Sequence, residues 1–309
     1  MVALRTFRSL VLVSTTLASA ACASTPTSDA GAAGSGGAGT TAGGNPTTAG
    51  GNAGGAGGTN TCPGPGYHVD AGAIALVSVG ALLTDSAHAP LAGVPVQVCG
   101  LDVCFYGTSI ASGRADVSLN MSLERPAYKY GDGFEYAKLA VLLPATPPSQ
   151  DLGSIVALRL PSYAEGSAFP ASGSVTQGKV TLTLQAGTSV VHDVLTYSAD
   201  QLVLRAVEIP LGDSTQAVDP SLGFARAYAV APVATTFCPS AALSLPNADG
   251  WAVGSEAEIW IQGLEVDEEY APYAAWTKVA DAQVSADGST IQTTSGGIPI
   301  LSAIGVRKK

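Results

Sequence analysis

The 309-residue chain has few charged and few aromatic residues. Only 12% of its residues are charged and 6% are aromatic, and 14 basic residues face 24 acidic ones, for a formal net charge of −10. A nucleic acid or an anionic membrane surface is disfavoured as a partner, because both repel an acidic protein. No stretch reaches about 18 consecutive apolar residues, so no transmembrane helix is predicted.

Histidine is scarce, and recognisable catalytic motifs are missing. The three histidines, His68, His88 and His192, lie at no metal-binding spacing to one another or to a cysteine, and no G-x-S-x-G elbow occurs. We therefore predict no catalytic residue, no metal, no cofactor and no enzymatic activity, and we interpret the histidines as structural. Paired carboxylates depend on three-dimensional separation, which leaves an exported hydrolase as an open alternative.

Two glycine-containing stretches imitate nucleotide-binding motifs without their structural context. Residues 34–39 satisfy G-x-G-x-x-G, but no strand precedes them and no helix follows. Residues 173–180 (GSVTQGKV) approach a phosphate-binding loop, but Val180 replaces the magnesium-binding hydroxyl and VTLTL predicts a strand instead of a helix. We predict no nucleotide partner and interpret residues 173–180 as a glycine-bearing turn before a strand.

The N-terminus has the pattern of a secretory signal. Residues 1–21 place Arg5 and Arg8 before a short apolar run that ends in small residues. The residues LASAAC around Cys22 resemble the lipobox of bacterial lipoproteins, and the resemblance implies that the thiol of Cys22 is acylated, for example with palmitate. The alternative is ordinary cleavage after the A-S-A of residues 18–20, which would leave a free secreted or periplasmic protein.

A low-complexity segment follows Cys22. Residues 23–61 contain no aromatic residue, no Val, Ile or Leu, and a single charge at Asp29. Such a segment cannot bury enough surface to offset its chain entropy, so we predict a disordered tether at residues 22–61, with a reach of roughly 35 Å. A Gly/Ala/Ser/Thr tether after an acylated cysteine resembles lipoproteins of myxobacteria. The resemblance implies a lipid anchor in the bacterial cell envelope, at the outer membrane.

Four cysteines remain once Cys22 is assigned to lipid. An even number in an exported chain predicts two disulfide bonds. Cys99 and Cys104 flank GLDV, a span in which two strands can turn and place both side chains across a hairpin. By elimination Cys62 pairs with Cys238, closing a loop that stabilises the fold by roughly 3–5 kcal/mol in the chain-entropy model. The sequence alone also permits the other two pairings.

From Gly72 onward the pattern changes to short apolar runs separated by turn signals. β-Branched residues are frequent and no window shows helical periodicity, so the sequence predicts an all-β fold of two immunoglobulin-like or β-sandwich modules. Asp287 and Gly288, between alternating residues, predict a hairpin. We interpret 145–153 (ATPPSQDLG) as a loop.

Two parts of this β region resemble known modules. The stretch from Pro90 to Leu119, with PLAGV followed by TSIASGRADVSL, resembles immunoglobulin-like modules of the carboxypeptidase-regulatory type. The order EAEIWI, VSADGSTI, GGIPIL near the C-terminus loosely resembles ZU5-like modules of bacterial surface proteins. We accordingly expect an immunoglobulin-like module at 62–124, a connector or extra strands at 125–169, and a β-sandwich module at 170–309.

Three clusters are candidates for binding. The acidic residues 265–269 (EVDEE) and the turn at 247–250 (NADG) carry oxygen ligands and are candidates for a calcium site, but neither fits the EF-hand spacing, and we interpret each as a solvated loop. A group of aromatic residues is a candidate ligand platform, although such side chains in a sandwich are more often core: Trp251, Trp260, Trp276, Tyr270 and Tyr273.

The predicted function is a non-catalytic one. Modules of the kinds resembled are scaffolds, so we predict a binding or scaffolding role at the bacterial surface, with an envelope protein or a glycan as partner and the membrane reached through the N-terminal lipid. The alternatives are an exported hydrolase with an unrecognised carboxylate site and an inert structural spacer.

Overall fold

The computed structural model describes residues 62, 64–69, 72–193, 196–212 and 216–309. All of them belong to one compact unit, Gly57–Lys309. The predicted leader, the lipidation of Cys22 and the tether lie outside the described residues. The family resemblances and the expected boundaries after residues 124 and 169 stay predictions.

The described residues form strands and short 3₁₀ turns, so the predicted all-β fold is confirmed. The turns are Tyr163–Glu165, Ala199–Gln201 and Pro220–Leu222. Within the described ranges, no helix is long and apolar enough to cross a bilayer. The strands are β1 (Ala73–Thr84), β2 (Pro95–Cys99), β3 (Cys104–Thr108), β4 (Arg114–Glu124), β5 (Ala127–Tyr130), β6 (Leu139–Leu142), β7 (Ser149–Val156), β8 (Ser167–Ala168), β9 (Gly173–Gln177), β10 (Val180–Leu184), β11 (Ser189–Val191), β12 (Val203–Ile209), β13 (Arg226–Ala231), β14 (Thr236–Pro246), β15 (Glu256–Gln262), β16 (Trp276–Val284), β17 (Thr290–Gly296), β18 (Ile298–Ile300) and β19 (Ala303–Lys308).

The first seven strands form a two-sheet sandwich. One sheet has the order β4-β1-β7 and the other has the order β3-β2-β5-β6. Side chains alternate along β1, so Val79, Ala81 and Leu83 are buried and pack with Val96 and Val98 of β2 in one hydrophobic cluster. Strands β5 to β7 therefore complete the two sheets that β1 to β4 begin.

Strand β7 corrects the loop interpretation of residues 145–153. The strand starts at Ser149 and pairs in parallel with β1 from Ser78 to Thr84. Its Pro-, Ser-, Asp- and Gly-rich surroundings are typical of a loop. The backbone pairing offered by the neighbouring strand β1 outweighs this local preference, because strand propensity depends strongly on context.

The remaining strands form one large sheet that curls into a nearly closed cylinder. Its order is β8-β12-β13-β19-β15-β16-β17-β14-β10-β9, with β11 and β18 also paired to β14. The two ends of the sheet meet where the Ser167 hydroxyl of β8 donates a 2.7 Å hydrogen bond to the Thr176 carbonyl of β9. The interior is filled by apolar side chains such as Leu204, Leu243 and Ile259.

The sandwich packs against the outside of the cylinder through small side chains. Ala227, Ala229 and Ala231 of β13 belong to the cluster of the sandwich, whereas Tyr228 and Val230 between them belong to the cylinder interior. This alternation follows from the two-residue period of a strand. Alanines on the outer face let the two layers approach closely.

Two disulfide bonds join the cysteine pairs predicted from the sequence. Cys99 and Cys104 face each other across the β2–β3 hairpin, with Cα atoms 4.0 Å apart. Cys62 is joined to Cys238 of β14, with Cα atoms 5.3 Å apart. We call residues 62 and 64–69 the strap, because this segment is fixed to the cylinder at its beginning by the second disulfide.

Candidate binding clefts

A large cavity lies where the sandwich meets the outside of the cylinder. We call it the seam cleft; its volume is about 670 Å³, and its apolar walls are formed by Leu91, Tyr136 and Leu158 on the sandwich side and by Val207, Ile209 and Leu211 on the cylinder side. Volumes of 300–1,000 Å³ with mostly apolar walls are typical of small-ligand sites.

The alternation of β12 creates the cylinder wall of the cleft. Val207 and Ile209 project outward toward the sandwich, and Leu204 and Ala206 project into the cylinder. The chain then leaves the strand at Pro210, and Leu211, 40% exposed, lies at the mouth of the cleft. The apolar wall is therefore fixed by a strand, which holds its shape better than a loop.

A row of alternating charges borders the cleft on the cylinder side. Glu208 receives hydrogen bonds from Lys179 (2.6 Å) and Arg226 (2.7 Å), and Arg226 also bonds Asp249 (Nη2 to Oδ1, 2.9 Å). Burial acts to raise the pKa of Glu208, but the bonds from Lys179 and Arg226 outweigh it and hold the pKa below its ordinary value. The hydrogen bonds to Asp249 and Glu208 raise the pKa of Arg226. Glu208 and Arg226 therefore both stay ionised at neutral pH.

The sandwich side contributes two further charged residues. Asp85 accepts hydrogen bonds from the backbone N–H groups of Ala87 and Ala89, each at 2.9 Å, and so shapes the turn after β1. Arg159 pairs with Glu135 at 2.6 Å and donates to the Tyr136 hydroxyl at 3.1 Å. Polar groups therefore surround an apolar floor, which is the arrangement that orients a bound ligand.

A second cavity lies beside the seam cleft, and Arg159 lines both. We call it the Arg205 pocket; its volume is about 460 Å³, and its walls include Phe134, Leu160, Pro161, Tyr163, Gln201 and Arg205. Arg205 is only 1% exposed. Its guanidinium carbon lies 3.9 Å from the centre of the Tyr163 ring, within the range of a cation–π contact. Burial lowers the pKa of Arg205.

The chemistry available at both cavities is ion pairing, hydrogen bonding and apolar contact. No histidine or cysteine among the described residues lines either cavity. In the part of the chain that the structure describes, no group of three or more His, Cys, Asp or Glu side chains is placed to hold a metal ion. The arrangement suits recognition of a ligand with an apolar body and a polar or charged group.

The acidic residues 265–269 hold the strap and a buried ion pair. Glu268 is buried and bonded to the guanidinium of Arg125, and its Oε1 accepts the Tyr273 N–H at 2.7 Å. Glu269 Oε1 accepts the Gly64 N–H at 2.9 Å. The interpretation of a solvated loop is wrong for Glu268, because Arg125, distant in sequence, supplies the opposite charge that makes its burial tolerable.

The turn at residues 247–250 uses its oxygens and amide within the fold. The Asn247 side chain donates to the carbonyls of Trp251 and Gly288 and accepts the Trp251 N–H. Asp249 bonds Arg226 and thereby anchors the row of charges beside the seam cleft. This turn contributes to the candidate site indirectly, by fixing Arg226.

The predicted aromatic group does not form one platform. Tyr273 is completely buried, and Trp251 and Tyr270 pack against the cylinder interior. Trp260 and Trp276 surround Phe224, with ring centres 6.1 Å and 4.9 Å from it. The core interpretation is confirmed for Tyr273, and the other four side chains are partly buried and pack against the hydrophobic clusters.

His192 packs against neighbouring side chains. His192 Nδ1 lies 3.0 Å from the Thr235 hydroxyl and the ring packs against Phe169, and burial lowers the pKa of His192, in keeping with a structural role.

Residues 173–180 form the β9–β10 hairpin with Gly178 at φ +56°, so the turn interpretation is confirmed.

Sequence reasoning missed the residues that form the two cavities. Arg205 and Glu208 lie in VLRAVEI, whose apolar and β-branched residues predict a strand but no site. The available signal was a pair of charged residues within an otherwise apolar strand, which are rarely buried without partners. Arg159, Tyr163 and Arg226 carry no comparable local signal.

Comparison with known proteins adds no family to this description. A scan against protein-family models finds no match, and neither does a search of curated proteins. The functional interpretation therefore depends on the side chains of this chain.

Proposed function

We propose that the protein is a bacterial cell-envelope lipoprotein, anchored at the outer membrane through lipid on Cys22, with a non-catalytic binding role at the cell surface. The seam cleft is the observation that carries the binding role. Its partner is a protein or a glycan of the envelope, part of which enters the cleft. The proposal for the anchor is supported by the lipobox-like sequence alone.

The position of the strap suits a tethered body. Cys62, the first described residue, is bonded to Cys238 in the cylinder. The Gly66 and Tyr67 N–H groups donate to the carbonyls of Glu269 and Glu268, at 3.0 Å and 2.8 Å. Tension from a tether would reach the cylinder through a covalent bond and a set of hydrogen bonds, and the seam cleft, bordered by β12, is not part of that attachment.

Capture of envelope material by cleft variants tests this function. The purified, non-reduced full chain is incubated with cell-wall sacculi, with exopolysaccharide and with an outer-membrane protein extract, and bound material is quantified as a function of concentration. Leu211→Lys places a charge at the mouth of the cleft. Because a desolvated ammonium opposes apolar contact, we expect it to weaken saturable capture about tenfold or more.

The matched control is Val253→Lys, which adds the same charge at an exposed site, 60% accessible, that lines neither cavity. It should capture as wild type does. Equal capture by both variants would show that the binding surface lies outside the seam cleft. Absence of saturable capture with all three materials would contradict the binding role and favour a spacer.

A further inference from the structure

Two polar groups of the Arg205 pocket are buried without a hydrogen-bond partner in the described ranges. Arg205 Nε and the Tyr163 hydroxyl are both sealed from solvent, and neither makes a hydrogen bond among the described residues. Buried donors without an acceptor are rare in folded proteins and cost free energy. The Arg205 guanidinium is stacked on the Tyr163 ring, so the two donors without an acceptor belong to the same part of the fold.

The charge of Arg205 also lacks a counterion. Its Nη1 donates to the carbonyls of Phe134 (2.5 Å) and Pro161 (3.3 Å), and its Nη2 donates to the carbonyl of Gly133 (2.9 Å). These acceptors are neutral dipoles. Among the described residues Arg205 makes no ion pair, and the Asp132 carboxylate acts on its charge only at longer range, although buried charges are normally paired.

The acidic residues that line the pocket are engaged elsewhere. Glu135 pairs with Arg159 at 2.6 Å. Glu165 Oε2 accepts both the N–H and the hydroxyl of Ser162, each at 2.8 Å, and so closes the short turn that carries Tyr163. The pocket thus contains a buried cation whose opposite charge is not supplied by its own walls.

We propose that the Arg205 pocket binds a small organic anion, with a carboxylate or phosphate oxygen accepting from Arg205 Nε and from the Tyr163 hydroxyl. This ligand class deepens the proposed binding function and rests on it. The volume of about 460 Å³ and the walls of Phe134, Leu160 and Pro161 fit an organic body better than a bare ion. An entering oxygen has to part the Tyr163 ring from the guanidinium, which requires movement of the three-residue turn Tyr163–Glu165.

The test titrates the purified full chain with benzoate, phenyl phosphate and neutral benzamide, using isothermal calorimetry or ligand-observed NMR. At least one anion should bind saturably, and benzamide should bind at least tenfold more weakly. A preference for benzoate or for phenyl phosphate shows whether the charged group of the ligand is a carboxylate or a phosphate. No saturable binding of either anion, or equal binding of benzamide, would overturn the proposal.

Tyr163→Phe identifies the site without disturbing the fold. The variant keeps the stacked ring and removes a hydroxyl that has no hydrogen-bond partner among the described residues, so its thermal stability should equal or exceed that of the wild type. We expect its anion affinity to fall about tenfold, the size of one lost hydrogen bond to a charged acceptor. Unchanged affinity would place any anion site elsewhere.

Tyr228→Phe is the matched control. Its hydroxyl is likewise buried without a hydrogen-bond partner in the part of the chain that the structure describes, but it lies in the cylinder interior and lines neither cavity. It should bind the anions as wild type does. If the anions fail to bind while capture of envelope material stays sensitive to Leu211→Lys, the proposed function stands and only the ligand class is wrong.

Discussion

Lys129 is a basic residue buried in the middle of the structure. It is 4% exposed, donates a 2.7 Å hydrogen bond from Nζ to the Leu264 carbonyl, and lies 4.6 Å from the centre of the Tyr273 ring. Strand β5 is covered on both faces, which places Lys129 between the sandwich and the cylinder. Burial, with a smaller contribution from Lys138, lowers the pKa of Lys129 to about 8.

This depressed pKa predicts that the protein becomes more stable as the pH rises from 8 to 9. Over that range the folded chain releases the Lys129 proton while the unfolded chain keeps it, and stability rises with pH wherever the unfolded state binds more protons. The expected gain is about 1 kcal/mol in the free energy of unfolding. Urea denaturation at the two pH values measures it. At higher pH the tyrosines oppose the gain, because burial raises the pKa of Tyr197 to about 12.

The variant Lys129→Met should lose this pH dependence, since it has no proton to release. Lys138→Met is the matched control, because Lys138 is partly exposed and lies 3.9 Å from Glu265. It should retain a rise in stability between pH 8 and 9. An equal slope in wild type and Lys129→Met would show that another group causes the dependence.

At the scale of elements, strand β6 has an edge that the cylinder covers with one side chain. Gln262 of β15 is buried, its Oε1 accepts the Ala140 N–H at 3.2 Å, and its Nε2 donates to the Ala140 carbonyl at 2.8 Å. The Nε2 group also donates to the Ala217 carbonyl at 3.1 Å. The side-chain amide therefore takes the position that a neighbouring strand would have, which protects the edge.

Replacing this amide should loosen the attachment of the sandwich to the cylinder. Gln262→Leu leaves the buried N–H and C=O of Ala140 without partners, so we expect a loss of about 2–4 kcal/mol in the free energy of unfolding. Gln283→Leu removes an exposed amide that bonds the Gly254 carbonyl, and should cost less than about 1 kcal/mol. Similar losses in both variants, measured by urea denaturation, would contradict a special role for Gln262.

Elements with a local signal were predictable from sequence. The alternation of β1 and the turn at Asp287 and Gly288, where Gly288 has φ +73°, produced the strand and the β16–β17 hairpin that the structure contains. Strand β14 has little local strand signal, because it contains Pro239 and Pro246 and two serines, which are typical of loops. Its strand character comes from pairing with β10, β11, β17 and β18.

The candidate site was not predictable for a related reason. Its walls come from segments around residues 85, 159, 208 and 226, and their meeting depends on which strand faces pack together. The predicted pairing of Cys62 with Cys238, by contrast, followed from counting cysteines and from a hairpin between Cys99 and Cys104. Local chemistry constrains such pairs, whereas a cleft between two layers has no local signature.

At the scale of the whole molecule, the strap joins the body to the sequence that precedes it. Glu268 contacts both the Tyr67 N–H through its carbonyl and Arg125 through its carboxylate, and so links the strap, the cylinder and the end of β4. The Gly64 position is tightly enclosed, because an added Cβ would lie 2.1 Å from the Glu269 carbonyl oxygen. The strap is thus held on the cylinder by the disulfide of Cys62 and by the contacts of Gly64 and Tyr67.

The anchor itself yields the last prediction. If Cys22 is acylated, the full-length protein should sediment with membranes and enter the detergent phase, because each buried CH₂ of the acyl chains contributes about 0.8 kcal/mol to membrane binding. Cys22→Ser should appear in the soluble fraction with an unchanged near-ultraviolet circular dichroism spectrum. The double variant Cys62→Ser, Cys238→Ser is the control: it should lose about 3–5 kcal/mol of stability yet remain in the membrane fraction. A wild-type protein as soluble as Cys22→Ser would instead favour cleavage after Ala20 and a free exported protein, in which case the strap would only close the fold.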